Sequence, residues 1–390
     1  MKIGINASFL RKPDSGIGQV TTNFLKSLIK KSDPKDDFYI YLEEDVDLKI
    51  PSNFHKRVIK TFYKRDDLIR KICWEKFLLP VKAKSDKCEV FLSLYQSSTV
   101  LKKIPHIMLV HDAIVKIFPW YIGNLRKKIY YKKVDKGIKL ASKIMTISKH
   151  SKTDILRLYK RKKDKVIVNY IDCDPLFKKK TSQKTIDKVL EKFVLKKNEY
   201  IFYVGGFDMR KNMSGLIRGY GILWSRYKNK KDCPDLAIAG KFNPQLVPLV
   251  TDLESEIDNV CSVYGVPQRK FKLLGFVEQK DLPALFRAAR MFCFPSLYEG
   301  FGLPVLEAFN SECPVVVSGN SSLKEIANNK NAFIFDLESD KKLAEKMEEC
   351  LQDEKKAKQK KQQAKKDAEK FDWDKFTIKT LKELKETKRP

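Results

Sequence analysis

The chain has 390 residues, with 79 Lys and Arg against 49 Asp and Glu, so its formal net charge is +30. This length suffices for two domains with separate cores, and the positive charge favours attraction to polyanions such as nucleic acid or an anionic membrane. The sequence lacks paired Cys/His zinc spacing, an RNP-like aromatic pattern and a short helix-turn-helix unit, which argues against a specific nucleic-acid partner and a catalytic zinc.

The eight cysteines are scattered along the chain without a C-x-x-C pair, so we expect free, mostly buried thiols in a reducing cytoplasm. Met1 to Leu10 leads directly to Arg11 and Lys12, without the apolar core of a signal peptide. No apolar run approaches the length of a membrane span. We therefore expect a cytoplasmic protein that is neither exported nor inserted into a membrane.

Strand-like apolar segments alternate with helical patterns, which predicts an α/β fold with doubly wound parallel sheets. Residues 177–195 form a polar, lysine-rich stretch after Pro175 and are expected to contain a hinge. The predicted domains are residues 1–180 and 181–370. Residues 355–370 are expected to form an exposed helix, because aromatic residues that need burial follow them.

A first strand-to-helix turn follows the apolar segment Tyr200 to Val204 and runs through residues 205–212 into an amphipathic helical pattern. Arg210 and Lys211 are adjacent cations in this turn. Such a pair can neutralise the charge of a diphosphate leaving group, a role that a divalent metal has in other transferases. The alternative is a solvated basic pair in a lysine-rich chain.

A second strand-to-helix turn follows the apolar residues 291–295 and contains two glycines and Pro304, which suits the first helical turn. At such a junction the backbone N–H groups of Gly302 and Leu303, together with the positive end of the helix dipole, would attract phosphate oxygens. The sequence therefore predicts a phosphate-binding helix start.

Two carboxylates flank this helix start. Glu307 should lie one turn inside the helix, where it can accept two hydrogen bonds from a ribose diol, and Glu299 in the loop can contact sugar hydroxyls. The alternative is two solvated glutamates on an ordinary loop and helix. The surrounding turns favour a sugar-nucleotide site.

Together these motifs resemble those of the retaining family-4 (group 1) glycosyltransferases. That family has the GT-B fold, in which two doubly wound Rossmann-like domains face each other across a cleft. The resemblance covers nearly the whole chain. Its other segments are residues 1–7, 15–20, 109–112, 141–152, 166–172, 236–240, 271–277 and 371–373.

The resemblance implies further site residues. Gly16 and Gly18 would belong to a glycine loop that faces the donor phosphates, and His111 would lie near the transferred sugar. Phe276 and Val277 would border the base pocket. Residues 371–390 would form a terminal helix that returns to the N-terminal domain.

One departure from the family concerns residue 206. Many members have an arginine directly after the first glycine, whereas this chain has Gly206, and its cations are Arg210 and Lys211. This departure concerns the geometry of phosphate binding.

The implied activity is metal-independent transfer of a hexose from a nucleoside diphosphate sugar to an acceptor hydroxyl, without a cofactor. The catalytic set would be His111, Arg210, Lys211 and Glu299, and the departing phosphate would help to deprotonate the acceptor. The Gly-Gly-Phe-Asp-x-Arg-Lys-Asn form of residues 205–212 resembles that of bacterial polysaccharide mannosyltransferases. GDP-mannose is therefore the first expected donor and a UDP-hexose the second, and the acceptor would be a glycan or a lipid-linked glycan.

Three alternatives stay open at this point. The chain could be a catalytically silent member that serves as a binding subunit, a basic nucleic-acid-binding protein, or a sugar-nucleotide epimerase of related fold. Residues 60–65 and 126–133 combine basic and aromatic side chains and could rest on an anionic bilayer that carries the acceptor. A lysine-rich proteome would also produce such surfaces.

Two other motifs are discounted. Asp172, Cys173 and Asp174 resemble a metal-binding DxD motif, but they follow the end of a domain, and we expect a structural turn there, away from the phosphate loops. Gly16-Ile17-Gly18 is an incomplete dinucleotide fingerprint because Thr21 occupies the third glycine position, which argues against a nicotinamide dehydrogenase.

Overall fold

The computed structural model describes residues 1–60, 67–242, 249–337 and 339–388. The chain divides into two compact units. The first unit comprises Met1–Asp172 and Phe371–Pro390, and the second unit comprises Cys173–Lys370.

The first unit contains a seven-stranded sheet with the order β3-β2-β1-β4-β5-β6-β7. Its strands are β1 (Lys2–Asn6), β2 (Asp37–Leu42), β3 (Phe54–Val58), β4 (Val90–Ser93), β5 (His106–Leu109), β6 (Lys143–Thr146) and β7 (Val166–Val168). Its helices before the second unit are α1 (Gly16–Lys31), α2 (Asp67–Cys73), α3 (Leu79–Ser85), α4 (Ile114–Ile117), α5 (Leu125–Leu140) and α6 (Lys149–Tyr159). A π-helical segment, Trp74–Leu78, joins α2 to α3.

The second unit contains a six-stranded sheet with the order β10-β9-β8-β11-β12-β13. Its strands are β8 (Tyr200–Val204), β9 (Asp235–Ala239), β10 (Phe271–Gly275), β11 (Met291–Phe294), β12 (Val315–Ser318) and β13 (Phe333–Phe335). Its helices are α7 (Gln183–Lys192), α8 (Met213–Arg226), α9 (Leu253–Tyr264), α10 (Leu282–Ala288), α11 (Leu303–Asn310), α12 (Leu323–Ile326), α13 (Asp340–Gln352) and α14 (Glu354–Ala368).

The described strand pairs in both sheets are parallel. Each residue of β11 and β12 is buried, and apart from Ser318 these strands are apolar, as expected for a parallel sheet covered on both faces by helices. In each unit the strand order reverses once, between β1 and β4 and between β8 and β11. The doubly wound fold predicted from the sequence is therefore confirmed for both units.

The boundary between the units differs from the predicted one near Lys180, because residues 177–195 are packed into the second unit. Asp174 Oδ1 accepts a hydrogen bond of 2.8 Å from the Leu176 N–H and caps a short 3-10 turn, Pro175–Lys178. The ring of Phe177 from this turn lies 5.9 Å from that of Phe286, between centroids. The polar surface of this stretch belongs to a turn and to α7, whose apolar side packs on α10. A hinge in this stretch stays a prediction.

The last helix, α15 (Trp373–Thr387), packs on α1 and belongs to the first unit. The rings of Phe24 and Phe376 meet edge to face at 5.7 Å, and the Ser27 hydroxyl donates to Asp374 Oδ1 at 2.7 Å. The preceding helix, α14, confirms the helix predicted over residues 355–370. Its three alanines and Lys360 form the buried stripe, and most of its lysines are exposed.

Within the four described ranges, the helices are each too short or too polar to cross a bilayer.

Candidate functional site

The second unit brings together the two predicted strand-to-helix turns at the reversal of its strand order. β8 and β11 are hydrogen-bonded neighbours, and their right-handed crossovers lead away in opposite directions. The loops that follow them therefore meet in the crevice where doubly wound sheets bind ligands. The backbone joins the two loops directly, because the Leu297 N–H donates to the Arg210 carbonyl at 2.6 Å.

At this junction Glu299 lies between both predicted cations. Lys211 Nζ is 2.7 Å from Glu299 Oε1, and Arg210 Nη1 is 3.0 Å from Glu299 Oε2. Arg210 also contacts a second carboxylate, since its Nε lies 3.0 Å from Asp208 Oδ1. Lys211 and Glu299 are buried, and Lys211 Nζ lies 4.9 Å from the centre of the Phe294 ring. Two cations and two carboxylates thus form one balanced cluster, here called the switch-point cluster.

The protonation of this cluster follows from burial and pairing. Burial alone would raise the pKa of Glu299, but the charges of Lys211 and Arg210 outweigh burial and lower that pKa. Burial also lowers the pKa of Lys211, and the Arg210 charge adds to this effect while Glu299 opposes it. An arriving diphosphate would therefore meet cations that are already desolvated and oriented.

The helix start next to the cluster is open, as the sequence predicts. α11 begins after Gly302, which has φ +115°, and its first N–H groups have no side-chain cap. A Cβ atom at Gly302 would lie 2.7 Å from Leu323 Cδ2, so this position requires glycine. The N–H groups of Gly302 and Leu303 and the positive helix end are thus available to phosphate oxygens.

Glu307 lies one turn inside α11, as predicted, and is 4% exposed. Burial raises the pKa of its carboxyl group to about 8, and the charge of Asp174 adds to the increase. A neutral carboxyl group can both donate and accept a hydrogen bond, which suits a ribose diol. Asp174 caps a turn, as predicted, and its charge contributes to the raised pKa of Glu307.

His111 lies just beyond β5 in the first unit and is buried. Its Nε2 donates to the Leu94 carbonyl at 2.9 Å, and its backbone N–H donates to Gln96 Oε1 at 3.2 Å. Burial lowers the pKa of the imidazole, so the ring is neutral near pH 7. The structure holds this ring in one tautomer and orientation, and its contact with a sugar stays a prediction.

In the glycine loop of the first unit, the structure explains the need for glycine at Gly18 but not at Gly16. Gly18 donates its N–H to Ser15 Oγ at 3.1 Å, and a Cβ atom there would lie 1.9 Å from the Lys12 carbonyl oxygen. A Cβ atom at Gly16, by contrast, would meet no atom within 4 Å. Ser15 caps α1 by accepting from the Gly18 N–H, and the phosphate contact of Gly16 and Gly18 stays a prediction.

Phe276 and Val277 follow β10 and differ in exposure. Val277 is buried, whereas Phe276 is 47% exposed and its ring lies 4.5 Å from Lys241 Nζ. An exposed ring beside a cation is a suitable surface for stacking a nucleobase. The base-binding role of both residues stays a prediction.

The sequence analysis missed the residues that hold the Glu299 loop in place. Ser322 Oγ donates to the carbonyl oxygens of Glu299 and Phe301 at 2.8 and 2.9 Å, and the Glu299 N–H donates to Ser321 Oγ at 3.0 Å. These serines follow β12, the neighbour of β11, at the same sheet edge. Their position after a predicted strand is the one signal that could have identified them.

Two remaining predictions concern metals and membranes. Across the described part of the chain there is no group of three or more His, Cys, Asp and Glu side chains that could hold a metal ion. The basic and aromatic residues 61–65 lie outside the described residues, whereas residues 126–133 lie in the first half of α5.

Comparison with known proteins shows similarity over the second unit and beyond. Residues 185–367 match the family model described as "Glycosyl transferases group 1". The "O-antigen chain mannosyltransferase B" of Escherichia coli is 26% identical over 275 residues, which cover 70% of this chain and 68% of the relative. The "Uncharacterized glycosyltransferase MJ1607" of Methanocaldococcus jannaschii is 30% identical over 185 residues, 47% of this chain and 44% of the relative. A "Serotype-specific mannosyltransferase WbdA" of Escherichia coli is much longer, and the 28% identical match covers 22% of it.

Solved structures show similarity over both units. Anabaena Alr3699/HepE, crystallised in complex with UDP and glucose, has a TM-score of 0.71 at 17% identity, covering 98% of this chain and 99% of that protein. WaaG, "a glycosyltransferase involved in lipopolysaccharide biosynthesis", also has a TM-score of 0.71, at 13% identity and the same coverage. At these identities the similarity establishes a common fold.

Proposed function

We propose that the chain is a group 1 glycosyl transferase, which moves a hexose from a nucleoside diphosphate sugar to an acceptor hydroxyl with retention of anomeric configuration. Support comes from the family model that matches residues 185–367, from the mannosyltransferase relatives and from the fold shared with glycosyltransferases of known structure. The observation that carries this proposal is the switch-point cluster, whose Glu299 lies four residues before Leu303, the uncapped start of α11. A buried lysine and a half-buried arginine beside open backbone N–H groups form an arrangement that suits a departing diphosphate.

The proposed roles follow from this geometry. Arg210 and Lys211 stabilise the developing charge on the diphosphate, and the backbone at Gly302 and Leu303 binds its oxygens. Glu299 is then released in part from its cations and accepts hydrogen bonds from the sugar hydroxyls. Glu307 holds the ribose, and neutral His111 contacts the sugar near the anomeric carbon. The departing phosphate deprotonates the acceptor, so no side-chain base is assigned.

We propose mannose as the hexose and GDP-mannose as the donor, with a UDP-hexose as the second candidate. Support for mannose comes from the names of the relatives in Escherichia coli, and support for UDP comes from the complex of the Anabaena protein. The proposed acceptor is a glycan or a lipid-linked glycan in polysaccharide assembly, reached by a cytoplasmic enzyme at an anionic membrane surface. Transfer would need no metal, since Arg210 and Lys211 supply the countercharge.

The first test is a thermal-shift measurement on the full chain with GDP, GDP-mannose, UDP and UDP-glucose, with and without EDTA. A nucleotide at a hundred times its Kd should stabilise the fold by roughly 2.7 kcal/mol, which raises Tm by a few degrees. The shift should persist in EDTA and in Lys188→Ala, which removes an exposed lysine of the same unit. It should largely disappear in Lys211→Ala.

Other outcomes would contradict the proposal. The chain is a polyanion-binding protein if no nucleotide raises Tm and DNA or RNA binds instead. Such binding should depend steeply on salt and should not change in Arg210→Ala. If the donor sugar changes configuration without an acceptor, the chain is an epimerase. NMR of the transferred sugar distinguishes retention from inversion.

A further inference from the structure

Exposed apolar side chains are concentrated in one stretch of the first unit. Among the described residues, fourteen large apolar side chains are exposed, and seven of them lie between positions 69 and 140, a stretch that makes up less than a fifth of the chain. Single exposed apolar residues are common on proteins, whereas a concentration of them marks a surface that contacts a partner or a membrane. This concentration has no role in the donor site proposed above.

Three of these side chains lie at the start of α5. Leu125 is 71% exposed, and Ile129, one turn later, is 45% exposed. Trp120 is 49% exposed and belongs to a short 3-10 turn, Pro119–Ile122, which packs against α5. An indole ring and two aliphatic side chains are thus in contact with water, which is unfavourable unless a partner covers them.

The packing of α5 does not require these exposed side chains. Tyr130, Val134 and Ile138 are buried in the core cluster beneath the helix. Leu125 and Ile129 are one turn apart and lie on the side of the helix that faces away from this cluster. The helix would therefore keep its contacts with the core if both positions were polar.

The outward side of α5 is also basic. The helix contains seven Lys and Arg residues and one acidic residue, Asp135, whose carboxylate pairs with Lys116. Lys128, Lys132 and Lys136 are exposed, and their spacing of four places them on the same side as the two exposed aliphatic side chains. This side therefore combines apolar surface with attraction to anions.

An anionic bilayer matches both properties. Apolar side chains can enter the boundary between headgroups and acyl chains, while lysines extend their stems and reach the lipid phosphates. An exposed tryptophan suits the same boundary because its ring is apolar and its N–H is polar. Nucleic acid matches the lysines alone, since its outer surface is the phosphate backbone.

Neighbouring elements have the same combination of side chains. Ile69 in α2, Phe77 in the π-helical segment and Val81 in α3 are exposed, and so are Lys76 and Lys82 next to them. Because α2 packs against α5, exposed apolar and basic side chains occur on two helices in contact.

We propose that α5 and the turn before it rest on a bilayer that contains anionic phospholipids. Trp120, Leu125 and Ile129 enter the headgroup boundary, and the exposed lysines of α5 contact lipid phosphates. This inference names the surface with which the chain would reach an acceptor at a membrane, and it rests on the proposed function for the existence of that acceptor. Lipid binding itself needs neither donor nor transfer.

Tryptophan fluorescence of the full chain tests the insertion directly. Of the four tryptophans, Trp74, Trp224 and Trp373 are buried and Trp120 is exposed. With vesicles of phosphatidylcholine and phosphatidylglycerol, the emission should shift to shorter wavelength, and lipids with brominated acyl chains should quench it. Trp120→Phe keeps an apolar ring, so it should still bind while losing both signals.

Sedimentation with the same vesicles measures what the aliphatic side chains contribute. We expect Leu125→Ser/Ile129→Ser to weaken binding by about tenfold or more, because two inserted apolar side chains are lost. The control Val263→Ser/Ile378→Ser removes two exposed apolar side chains from α9 and α15. It should bind vesicles as the unmodified chain does.

A second pair of variants tests the lysines. Lys128→Ala/Lys132→Ala should weaken binding by about tenfold or more at low salt, because two charges near the lipid surface are lost. The control Lys184→Ala/Lys188→Ala removes two exposed lysines at the same spacing from α7 and should have a much smaller effect.

Three outcomes would overturn the proposal. Equal weakening in the two lysine variants would mean that the net charge of the chain attracts the lipid. Unchanged tryptophan emission on bound vesicles would exclude insertion, and absence of vesicle binding would leave a protein partner as the occupant of this surface. The nucleotide-induced rise in Tm, which should be unchanged in Leu125→Ser/Ile129→Ser, tests the proposed function separately.

Discussion

The switch-point cluster buries two charged groups, Lys211 and Glu299, which a purely structural site would replace at lower cost. A buried ion pair seldom adds net stability over apolar residues of similar volume, because desolvation offsets the attraction between the charges. Lys211 and Glu299 are nevertheless enclosed, with Arg210 as a shared partner. The proposed function accounts for their burial, because a departing diphosphate would require oriented charge at this position.

A pair of neutral substitutions separates the structural and catalytic parts of this cluster. Lys211→Met leaves the Glu299 carboxylate with Arg210 alone and should lower the free energy of unfolding by about 1–3 kcal/mol. Lys211→Met/Glu299→Gln should restore much of that stability, because neither buried charge remains. Turnover should stay reduced by about 10²- to 10³-fold in both. Urea unfolding and donor turnover measure the two effects, and recovery of turnover in the double variant would contradict a catalytic role.

Glu307 should make stability depend on pH with a defined sign. Its pKa is raised from 4.5 to about 8 in the folded chain, so between these values the folded state binds more protons than the unfolded state. Stability from this group is fully present below pH 4.5 and is lost as the pH rises towards 8. Glu307→Gln removes this dependence.

The Tm of Glu307→Gln relative to the unmodified chain should therefore increase between pH 5 and pH 8. Glu191→Gln, at an exposed position of α7, serves as the matched control and should follow the unmodified chain. A difference in Tm that stays constant with pH would contradict the raised pKa.

Among the elements, α11 depends most visibly on a single residue. Gly302→Ala places a side chain at φ +115° and at 2.7 Å from Leu323 Cδ2, which should cost about 2 kcal/mol or more. Gly265→Ala also requires a positive φ, +66°, but in open space, and should cost about 1–2 kcal/mol.

The nucleotide-induced rise in Tm distinguishes these two glycines. It should fall sharply in Gly302→Ala, because the phosphate-binding N–H groups move with the start of α11, and should persist in Gly265→Ala. Equal nucleotide shifts in both variants would show that the helix start does not bind the donor.

At the scale of the whole molecule, each unit has its own core, and the first unit is closed by the last helix of the chain. Phe376 packs on Phe24 and is 1% exposed, and its carbonyl accepts from Asn169 Nδ2 at 2.9 Å. Phe376→Ala should destabilise the first unit by about 3–5 kcal/mol.

Ile378, in the same helix, is 56% exposed, so Ile378→Ala should change stability by about 0.5 kcal/mol or less. Hydrogen exchange should show the loss of protection in Phe376→Ala within the first unit, while β8 and β11 stay protected. Equal loss across both units would mean that the two cores unfold as one.

The sequence by itself determined the local elements around the site. The strand Tyr200–Val204, the helix start at Gly302 and the position of Glu307 one turn later agree with the structure. Apolar runs, glycines and a proline specify backbone conformation over a few residues. The resemblance of the motifs to group 1 glycosyltransferases was sufficient for the fold of both units.

Only the tertiary structure decided which of these residues meet. Lys211 and Glu299 are 88 positions apart, and their ion pair depends on the adjacency of β8 and β11, which no local pattern encodes. The same holds for the effect of the Asp174 charge on Glu307 and for the packing of residues 177–195 into the second unit. Strand order and helix packing depend on how distant apolar surfaces fit together, so contacts between chain segments follow from the fold rather than from any one segment.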